Sequence, residues 1–307
     1  MRDILVVGSV NVDISVRAER IPQPGETVRA DELELLAGGK GLNQAIGARR
    51  LGGRVRMIGR LGDDRLAEIP EHALDEARVE TSHVRRVAGS KTGTALIVVD
   101  GHGQNAIAVA GGANRTLMPE DLRGALAAFR ASGVLLVQLE LRLETVETAL
   151  ELARENSVKT ILDPAPARSL PDPLLRRVDV LTPNESEAER LTGVAVRDVE
   201  SAALAGRRLQ ERTLGDVVVT LGPRGCVWVW ATGFEHVPTP AVRPVDTTAA
   251  GDAFNAALAI ELARGKPVGA SLELALRAAS ASTLRRGAAP SLPRADEIDA
   301  RLEESEL

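Results

Sequence analysis

Short apolar runs rich in β-branched residues recur along this sequence, and this repetition constrains its fold more than any other feature. The runs lie at residues 4–7, 55–58, 134–137, 160–162, 178–181 and 217–221. Their length and their Val and Ile content predict buried β-strands. Longer stretches between them, at 42–51, 144–156, 185–191 and 201–210, carry apolar residues at the spacing of amphipathic helices. Strands that alternate with helices predict an α/β fold, with helices on both faces of a mainly parallel sheet.

Two segments interrupt this alternation. Residues 13–37 contain the turn sequence PQPG at 22–25, and residues 94–110 contain DGHG at 100–103. Around these turns the sequence has the pattern of strands and hairpins. We interpret both segments as a small β-rich lid inserted in one domain spanning residues 1–307, because α/β folds of this length commonly form a single domain.

Composition excludes several classes of protein. Hydrophobic residues make up 44% and charged residues 26% of the chain, as in folded globular proteins. The net charge of -5 is spread along the chain, so we expect neither nucleic acid nor a membrane surface as a partner. Cys226 is the only cysteine, which excludes a disulfide within the chain. No apolar stretch is long enough for a membrane span and no signal-peptide pattern is present, so we expect a cytoplasmic protein.

The strongest local motif is DTTAAGDAF at 246–254, which leads into an apolar helix. Its small residues leave backbone N–H groups at the helix start open to an anion. Such groups stabilise charge on a phosphoryl group in transfer. Asp252 lies in the first turn, where the helix dipole favours its ionised form, so it is the candidate base for a hydroxyl proton. An isolated Asp here is more often a helix cap, but the small residues before it favour catalysis.

A second motif, AGGKGLNQA at 37–45, also leads from glycines into a helix. Glycines permit close approach of a backbone to a ligand, and Lys40 and Asn43 supply polar side chains. Alone, this pattern fits a structural turn equally well. Its spacing differs from that of a P-loop. The turn after the first strand lacks the glycines of a dinucleotide fold, which counts against a nicotinamide-dependent dehydrogenase.

These motifs together resemble the ribokinase-like family of carbohydrate kinases. The resemblance rests on NVD at 11–13, GGKGLN at 38–43, TPNE at 182–185 with Glu187, and residues 246–252, and it extends over essentially the whole chain through QLE at 138–140, PAPAR at 164–168 and RGAAPS at 286–291. It implies a three-layer α/β/α sandwich with a β-rich lid. It also implies transfer of the γ-phosphoryl group of ATP to a sugar, with ribose phosphorylated at O5 as the first expectation.

The resemblance further implies a role for individual residues. Sugar binding is expected of Asn11, Asp13, Gly39, Lys40, Gly41, Asn43, Glu140 and Asp252. ATP binding is expected of Asn184, Glu187, Thr220, Gly222, Gly225, Gly251 and Leu276, and the Asn184–Glu187 pair would help to place Mg²⁺. The anion hole would be formed by Ala249, Ala250 and Gly251, beside the base Asp252. A monovalent cation, K⁺, is expected near Asp246, Thr248, Ser282, Arg285, Gly287 and Ser291, largely through backbone carbonyls.

Several alternatives stay open at this point. Taken singly, Asp13 also fits a turn residue, Glu140 a helix cap and the Asn184–Glu187 pair a helix start. Leu276 departs from the family pattern, which has Asn or His beside the adenine. A related kinase for another sugar or a nucleoside is the first alternative function, although the sequence has few aromatic residues to stack on a base. A sugar-binding regulatory protein without catalysis is the second. Exposed lid strands also predict a homodimer.

Overall fold

The computed structural model describes residues 1–102 and 104–305, so Gly103, in the predicted turn at 100–103, lies outside the described residues. The strands are β1 Asp3–Val7, β2 Asn11–Ala18, β3 Ala30–Gly38, β4 Val55–Gly62, β5 Glu80–Val87, β6 Gly93–Val99, β7 Asn105–Ala110, β8 Ser132–Gln138, β9 Lys159–Asp163, β10 Val180–Leu181, β11 Asp216–Thr220, β12 Cys226–Trp230 and β13 Gly233–Val237. The α-helices are α1 Lys40–Arg50, α2 Glu68–Glu76, α3 Pro119–Gly124, α4 Leu126–Arg130, α5 Leu143–Glu155, α6 Asp172–Leu175, α7 Glu185–Thr192, α8 Val199–Thr213, α9 Ala250–Ala263, α10 Val268–Ser282 and α11 Glu297–Ser305. No helix in this part of the chain is long and apolar enough to span a membrane.

The large sheet has nine strands in the order β13-β12-β11-β10-β9-β8-β1-β4-β5. Its strands from β11 to β5 pair in parallel, whereas β12 and β13 are antiparallel at one edge. The prediction of a mainly parallel sheet is therefore confirmed. The predicted strand at 178–181 is shorter than expected, with only Val180–Leu181 in the ladder. Strand β5 was missed because it is a partly exposed edge strand without an apolar run.

Helices cover both faces of the large sheet, as the sequence predicts. Successive strand residues point to opposite faces. Ile4 belongs to a core cluster that includes residues of α1, α2, α9, α10 and α11, whereas Leu5 belongs to a cluster that includes residues of α3 to α8. Both residues are fully buried. The result is the predicted three-layer sandwich, and its parallel strands end at a common edge.

The second sheet is formed by the two predicted lid segments, in the order β3-β2-β6-β7. Strand β2 is antiparallel to β3 and parallel to β6. Asp13 is paired with Leu36 and Ala95, while the next residue, Ile14, is paired with Leu35 and Leu96. Since paired residues share a face of the sheet, Asp13 and Ile14 lie on opposite faces.

Helix α1 begins against the loop that follows β1, and glycines permit this contact. The N–H of Leu42 donates to the carbonyl of Ser9 at 2.9 Å. A Cβ on Gly41 would lie 2.5 Å from the carbonyl carbon of Gly8, and one on Gly39, whose φ is 91°, 2.8 Å from the nitrogen of Asn11. The glycines of this motif therefore provide close packing of backbone on backbone, which fixes the start of α1 at the edge of the large sheet.

We expect Gly41→Ala to destabilise the protein by roughly 1–3 kcal/mol, because the added methyl group overlaps backbone atoms that cannot move aside. Gly124→Ala is the matched control, since Gly124 is also helical but a Cβ there meets nothing within 4 Å. Helix propensity alone would make both substitutions neutral or stabilising. Urea unfolding measures the difference, and equal stability of the two variants would contradict the packing argument.

Candidate active site

The polar side chains of the site come from five elements of the fold. Gln138 and Asp163 are the last residues of β8 and β9, Lys40 opens α1, and Asp252 lies in the first turn of α9. Asp13 comes from the lid strand β2. Because parallel strands end at one edge, these separate sequence segments meet there.

Asp252 is buried, with 4% of its surface exposed, and both of its carboxylate oxygens accept a hydrogen bond. Asn43 Nδ2 donates to Oδ2 at 2.9 Å, and Gln44 Nε2 donates to Oδ1 at 3.1 Å. Burial raises the pKa of Asp252 to about 6, against the opposing effect of the Lys40 charge. The sequence predicts an ionised carboxylate at the helix start. The structure adds that burial makes this carboxylate a stronger base than an exposed Asp, while leaving it ionised at pH 7.

Lys40 lies among carboxylates. Its Nζ is 3.3 Å from Asp163 Oδ2, within an ion pair. Burial lowers the pKa of Lys40, but the charges of Asp163, Asp252, Glu140 and Glu187 together raise it above the ordinary value of a lysine. The ammonium group is therefore charged at neutral pH. Asp163 was not among the residues to which the resemblance gives a role, although its place directly after a predicted strand was a usable signal.

The lid contributes a second, partly buried carboxylate, that of Asp13. Burial raises the pKa of Asp13 to about 7, and the nearby charges of Glu140 and Asp252 act in the same direction. Glu140 Oε2 accepts hydrogen bonds from Ser9 Oγ at 2.5 Å and from Asn11 Nδ2 at 3.4 Å. The structure thus brings Asp13, Glu140 and Asp252 close enough for their charges to interact, as the resemblance implies for a sugar site.

Asn114 orients the neighbouring Asn11. It follows the lid in a short 3₁₀ helix and is 1% exposed. Its Nδ2 donates to Asn11 Oδ1 at 2.7 Å, so the Nδ2 of Asn11 is turned toward Glu140. No sequence pattern pointed to Asn114, because its partners are about a hundred residues away in the chain.

A cleft of ≈ 540 Å³ opens beside Glu140, between the lid and the edge of the large sheet. Its lining includes Val109 of the lid, Leu139, and the arginines Arg115 and Arg168. Of the predicted sugar-binding residues, only Glu140 lines it. The cleft is therefore an approach to the carboxylate cluster and does not enclose it.

The start of α9 leaves backbone donors open. Ala249 adopts φ 61°, a left-handed conformation that is strained for a residue with a Cβ and is found preferentially at functional sites. The N–H groups of Gly251 and Asp252 donate no hydrogen bond within the described residues, whereas that of Ala250 is 3.3 Å from the carbonyl of Thr247. A Cβ on Gly251 would meet nothing within 4 Å. Open N–H groups beside open space suit an anion, with Gly251 better placed for this than Ala250.

The residues predicted to bind the nucleotide also have structural roles. Asn184 and Glu187 form a reciprocal capping box at the start of α7, with both hydrogen bonds at 2.9 Å. Thr220 is bridged to Asn184. A Cβ on Gly225 would lie 2.0 Å from the carbonyl oxygen of Val237, so packing requires this glycine, whereas Gly222 borders open space.

Leu276 belongs to the apolar core and is only 4% exposed. Its side chain has no group that could form a hydrogen bond with the adenine, in contrast to the Asn or His of the family pattern. The structure therefore gives no support to its predicted part in nucleotide binding.

The predicted cation residues gather around Asp246. Its carboxylate accepts hydrogen bonds from Thr248 N at 2.9 Å and Gly287 N at 2.9 Å, which joins two loops. Within the described residues, the carbonyls of Asp246, Thr248, Arg285 and Gly287 accept no hydrogen bond. The carbonyls of Ser282 and Ser291 differ, because they accept from Arg285 N at 3.3 Å and from the Arg301 guanidinium at 2.7 Å, respectively. A cation at the Ser291 carbonyl would meet a positive charge, so that part of the prediction fits poorly.

Comparison with known proteins places these observations in a family. The family model described as pfkB family carbohydrate kinase matches residues 1–295. The chain is 37% identical over 293 residues to a ribokinase of Haemophilus influenzae, with 95% of each chain covered. It is 34% identical over 298 residues to a deoxyribokinase of Salmonella typhi, with 97% of each chain covered. The solved structure of Arabidopsis thaliana ribokinase complexed with ribose and ATP superposes with a TM-score of 0.90 at 34% identity, covering 98% of this chain and 99% of that one.

Proposed function

The chain belongs to the pfkB family of carbohydrate kinases, and from this membership we propose that it transfers the γ-phosphoryl group of ATP to O5 of D-ribose. The products are ribose 5-phosphate and ADP. Enzymes of this family are phosphotransferases with an alcohol group as acceptor. The similar proteins named ribokinase, and the neighbouring structure that holds ribose and ATP, support this choice of acceptor and donor.

One observation carries the proposal: a buried carboxylate, Asp252, lies in the same helical turn as the open N–H of Gly251. A sugar hydroxyl beside Asp252 would lose its proton to the carboxylate as its oxygen attacks the γ-phosphorus. The developing charge on the phosphoryl oxygens would then face the N–H groups and the positive end of the α9 dipole. Base and anion hole thus lie within the same helix turn, where both can act on one phosphoryl transfer.

The sugar would be held between the lid and the large sheet. Asp13 from β2, and Asn11 with Glu140, offer acceptors and donors for its hydroxyl groups. Asn43 Oδ1 is buried without a hydrogen-bond partner in the described part of the chain, so it is available to a hydroxyl donor. Closure of the lid over the sugar would exclude water, which otherwise competes as phosphoryl acceptor.

We propose that Mg²⁺ accompanies ATP. Among the described residues no group of three or more His, Cys, Asp or Glu is placed to hold a metal ion, so the ion would depend mainly on phosphates and water, which is its usual coordination. The Glu187 carboxylate fits such an arrangement, since only its Oε2 is used in capping α7. Mg²⁺ would neutralise phosphate charge.

ATP as donor also favours a cytoplasmic location.

We also propose a K⁺ ion behind the anion hole. The unused carbonyls of Asp246, Thr248, Arg285 and Gly287 are suitable oxygen donors, and the hydrogen bonds of Asp246 to Thr248 and Gly287 hold their loops together. Burial opposes ionisation of Asp246, but these hydrogen bonds bring its pKa below the ordinary value, so it carries charge to attract a cation. Bound K⁺ would stabilise the segment that leads into Ala249.

Subunit association through the lid is a further part of the proposal. The face opposite Asp13 is apolar and carries Leu33, Leu35 and Leu96, which are 65%, 45% and 54% exposed. Ile14, Val16 and Val98 share this face by their register. A continuous apolar sheet face of this kind is typical of an association surface, and a second copy of the chain provides a matching one.

Asp252→Asn tests the base. The amide is isosteric but accepts no proton, so we expect turnover to fall roughly 10²–10⁴-fold while ribose affinity changes little. A coupled ADP-release assay and calorimetry with ribose measure the two quantities. Asp75→Asn, on the exposed side of α2, is the control and should leave both unchanged. Substantial turnover by Asp252→Asn would remove Asp252 from the mechanism.

A panel of acceptors tests the sugar. We expect kcat/KM to be highest for D-ribose and at least about tenfold lower for 2-deoxy-D-ribose, because a missing hydroxyl leaves a buried polar group of the site unpaired. We expect nucleosides to be poor acceptors, since Phe129 and Phe254 are buried in the core and unavailable for stacking on a base. Faster turnover of 2-deoxyribose would instead place the chain with the deoxyribokinases.

Leu96→Arg tests the association surface. A charge at the centre of the apolar lid face should convert a dimer into a monomer, measured by light scattering after size-exclusion chromatography. Leu204→Arg is the matched control, because Leu204 is 51% exposed on α8, away from the lid. A wild-type protein that is monomeric at micromolar concentration would refute the proposed dimer.

A further inference from the structure

Gln44 lies in the α1 motif but has no assigned role. Its side chain is fully buried, and its Nε2 donates to Asp163 Oδ2 at 2.9 Å and to Asp252 Oδ1 at 3.1 Å. An amide nitrogen has two hydrogens, so each carboxylate receives one of them. Gln44 therefore uses its full donor capacity to join the candidate base to the carboxylate that pairs with Lys40.

The direction of this amide follows from the chemistry of its partners. Carboxylates accept hydrogen bonds, so Nε2 of Gln44 must face Asp163 and Asp252, and its Oε1 must face away from them. Gln138 Nε2 donates to that Oε1 at 2.6 Å. The hydrogen bonds thus run in one direction, from the end of β8 through α1 to the first turn of α9.

The hydrogen bond from Gln138 to Gln44 leaves the other end of the Gln138 amide without a partner in the part of the chain that the structure describes. Gln138 is fully buried, and its own Oε1 has no hydrogen-bond partner among the described residues. Turning the Gln138 amide over would place two carbonyl oxygens against each other and release Gln44. A buried unpaired acceptor is normally avoided, so its presence indicates that orienting Gln44 takes precedence.

We propose that Gln44 is a positioning residue that holds Asp252 in the orientation needed to accept the sugar hydroxyl proton, and that Gln138 acts through it. This inference rests on the proposed function, because it concerns how the base is held. With Oδ1 bound to Gln44 and Oδ2 to Asn43, the carboxylate plane is fixed, and a free lone pair of Asp252 is left for the substrate.

The charges that face Asp252 give the sign of the expected effect. They are Lys40 on α1, which favours the ionised carboxylate, and Asp163 on β9 and Asp13 on the lid, which oppose it. The donors Asn43 and Gln44 favour the ionised form. Removal of the Gln44 donor therefore raises the pKa of Asp252 above about 6.

Gln44→Met is the first test, because methionine keeps the length of the side chain and removes both donors. We expect the single-turnover rate of phosphoryl transfer at pH 7 to fall about 10–100-fold, with ribose affinity changed less than about threefold. We also expect a shift in the acid limb of the pH–rate profile, which is the range where the rate falls as Asp252 becomes protonated. This limb should move to higher pH by about one unit or more. Gln210→Met is the control, since Gln210 is also buried, at 8% exposure, but lies on α8.

Gln138→Met is the second test and applies also if Gln44→Met does not fold. It should shift the acid limb in the same direction by a smaller amount, and the double variant should be no slower than Gln44→Met alone. A purely structural role would lower the amount of folded protein without moving the limb. An acid limb that stays at the wild-type pH in both single variants overturns the inference. An active Asp252→Asn enzyme would instead refute the proposed function, so the two failures are distinguishable.

Discussion

The rest of the site depends on the electrostatic attraction between the Lys40 ammonium group and the carboxylates around it. Asp163, Asp252, Glu140 and Glu187 all act on it, and none of these carboxylates could be brought so close to the others without a positive charge between them. Burial by itself disfavours the charged forms of Lys40 and Asp252. The attraction between the lysine and the carboxylates offsets this desolvation penalty, so the charge on each group depends on the presence of the others. The packing of Gly39 and Gly41 against the loop after β1 is what brings Lys40 to this point.

Much of this fold is predictable from sequence, because its core strands are buried on both faces and so appear as uninterrupted apolar runs. Edge strand β5 has no such run, since one side of it faces solvent, and the two-residue β10 is shorter than its apolar run. The hairpin patterns located the lid. Their register, which decides that Asp13 and not Ile14 belongs to the side of the carboxylates, required the structure.

The site could be predicted where chemistry is concentrated in short motifs, and less well where it depends on contacts between distant segments. Asp252 and Lys40 stand in such motifs. Asn114 acts through amide contacts with residues about a hundred positions away, and no local pattern indicates it. Gln138 follows a predicted strand, as Asp163 does, but its contact with Gln44 across 94 residues required the structure. Two of the structural interpretations also hold, because Asn184 and Glu187 cap α7 and the glycines of α1 pack on backbone. Two others are wrong, because Asp13 lies within strand β2 and the residue that caps α5 is Arg142, not Glu140. A helix cap or a packed glycine is therefore compatible with the proposed binding role of the same residue, and the structural pattern alone does not distinguish the two.

The alternation along β2 has a consequence for how this lid can vary. Asp13 and Ile14 are neighbours in sequence and lie on opposite faces of the lid sheet. Point substitutions can therefore alter the side that carries Asp13 and the apolar side independently. A single-residue insertion or deletion near the start of β2 cannot, because it would turn the carboxylate outward and the isoleucine inward in one step. Length changes in the lid should thus be confined to the connections at 19–29 and 100–104, while the strands between them keep a fixed number of residues.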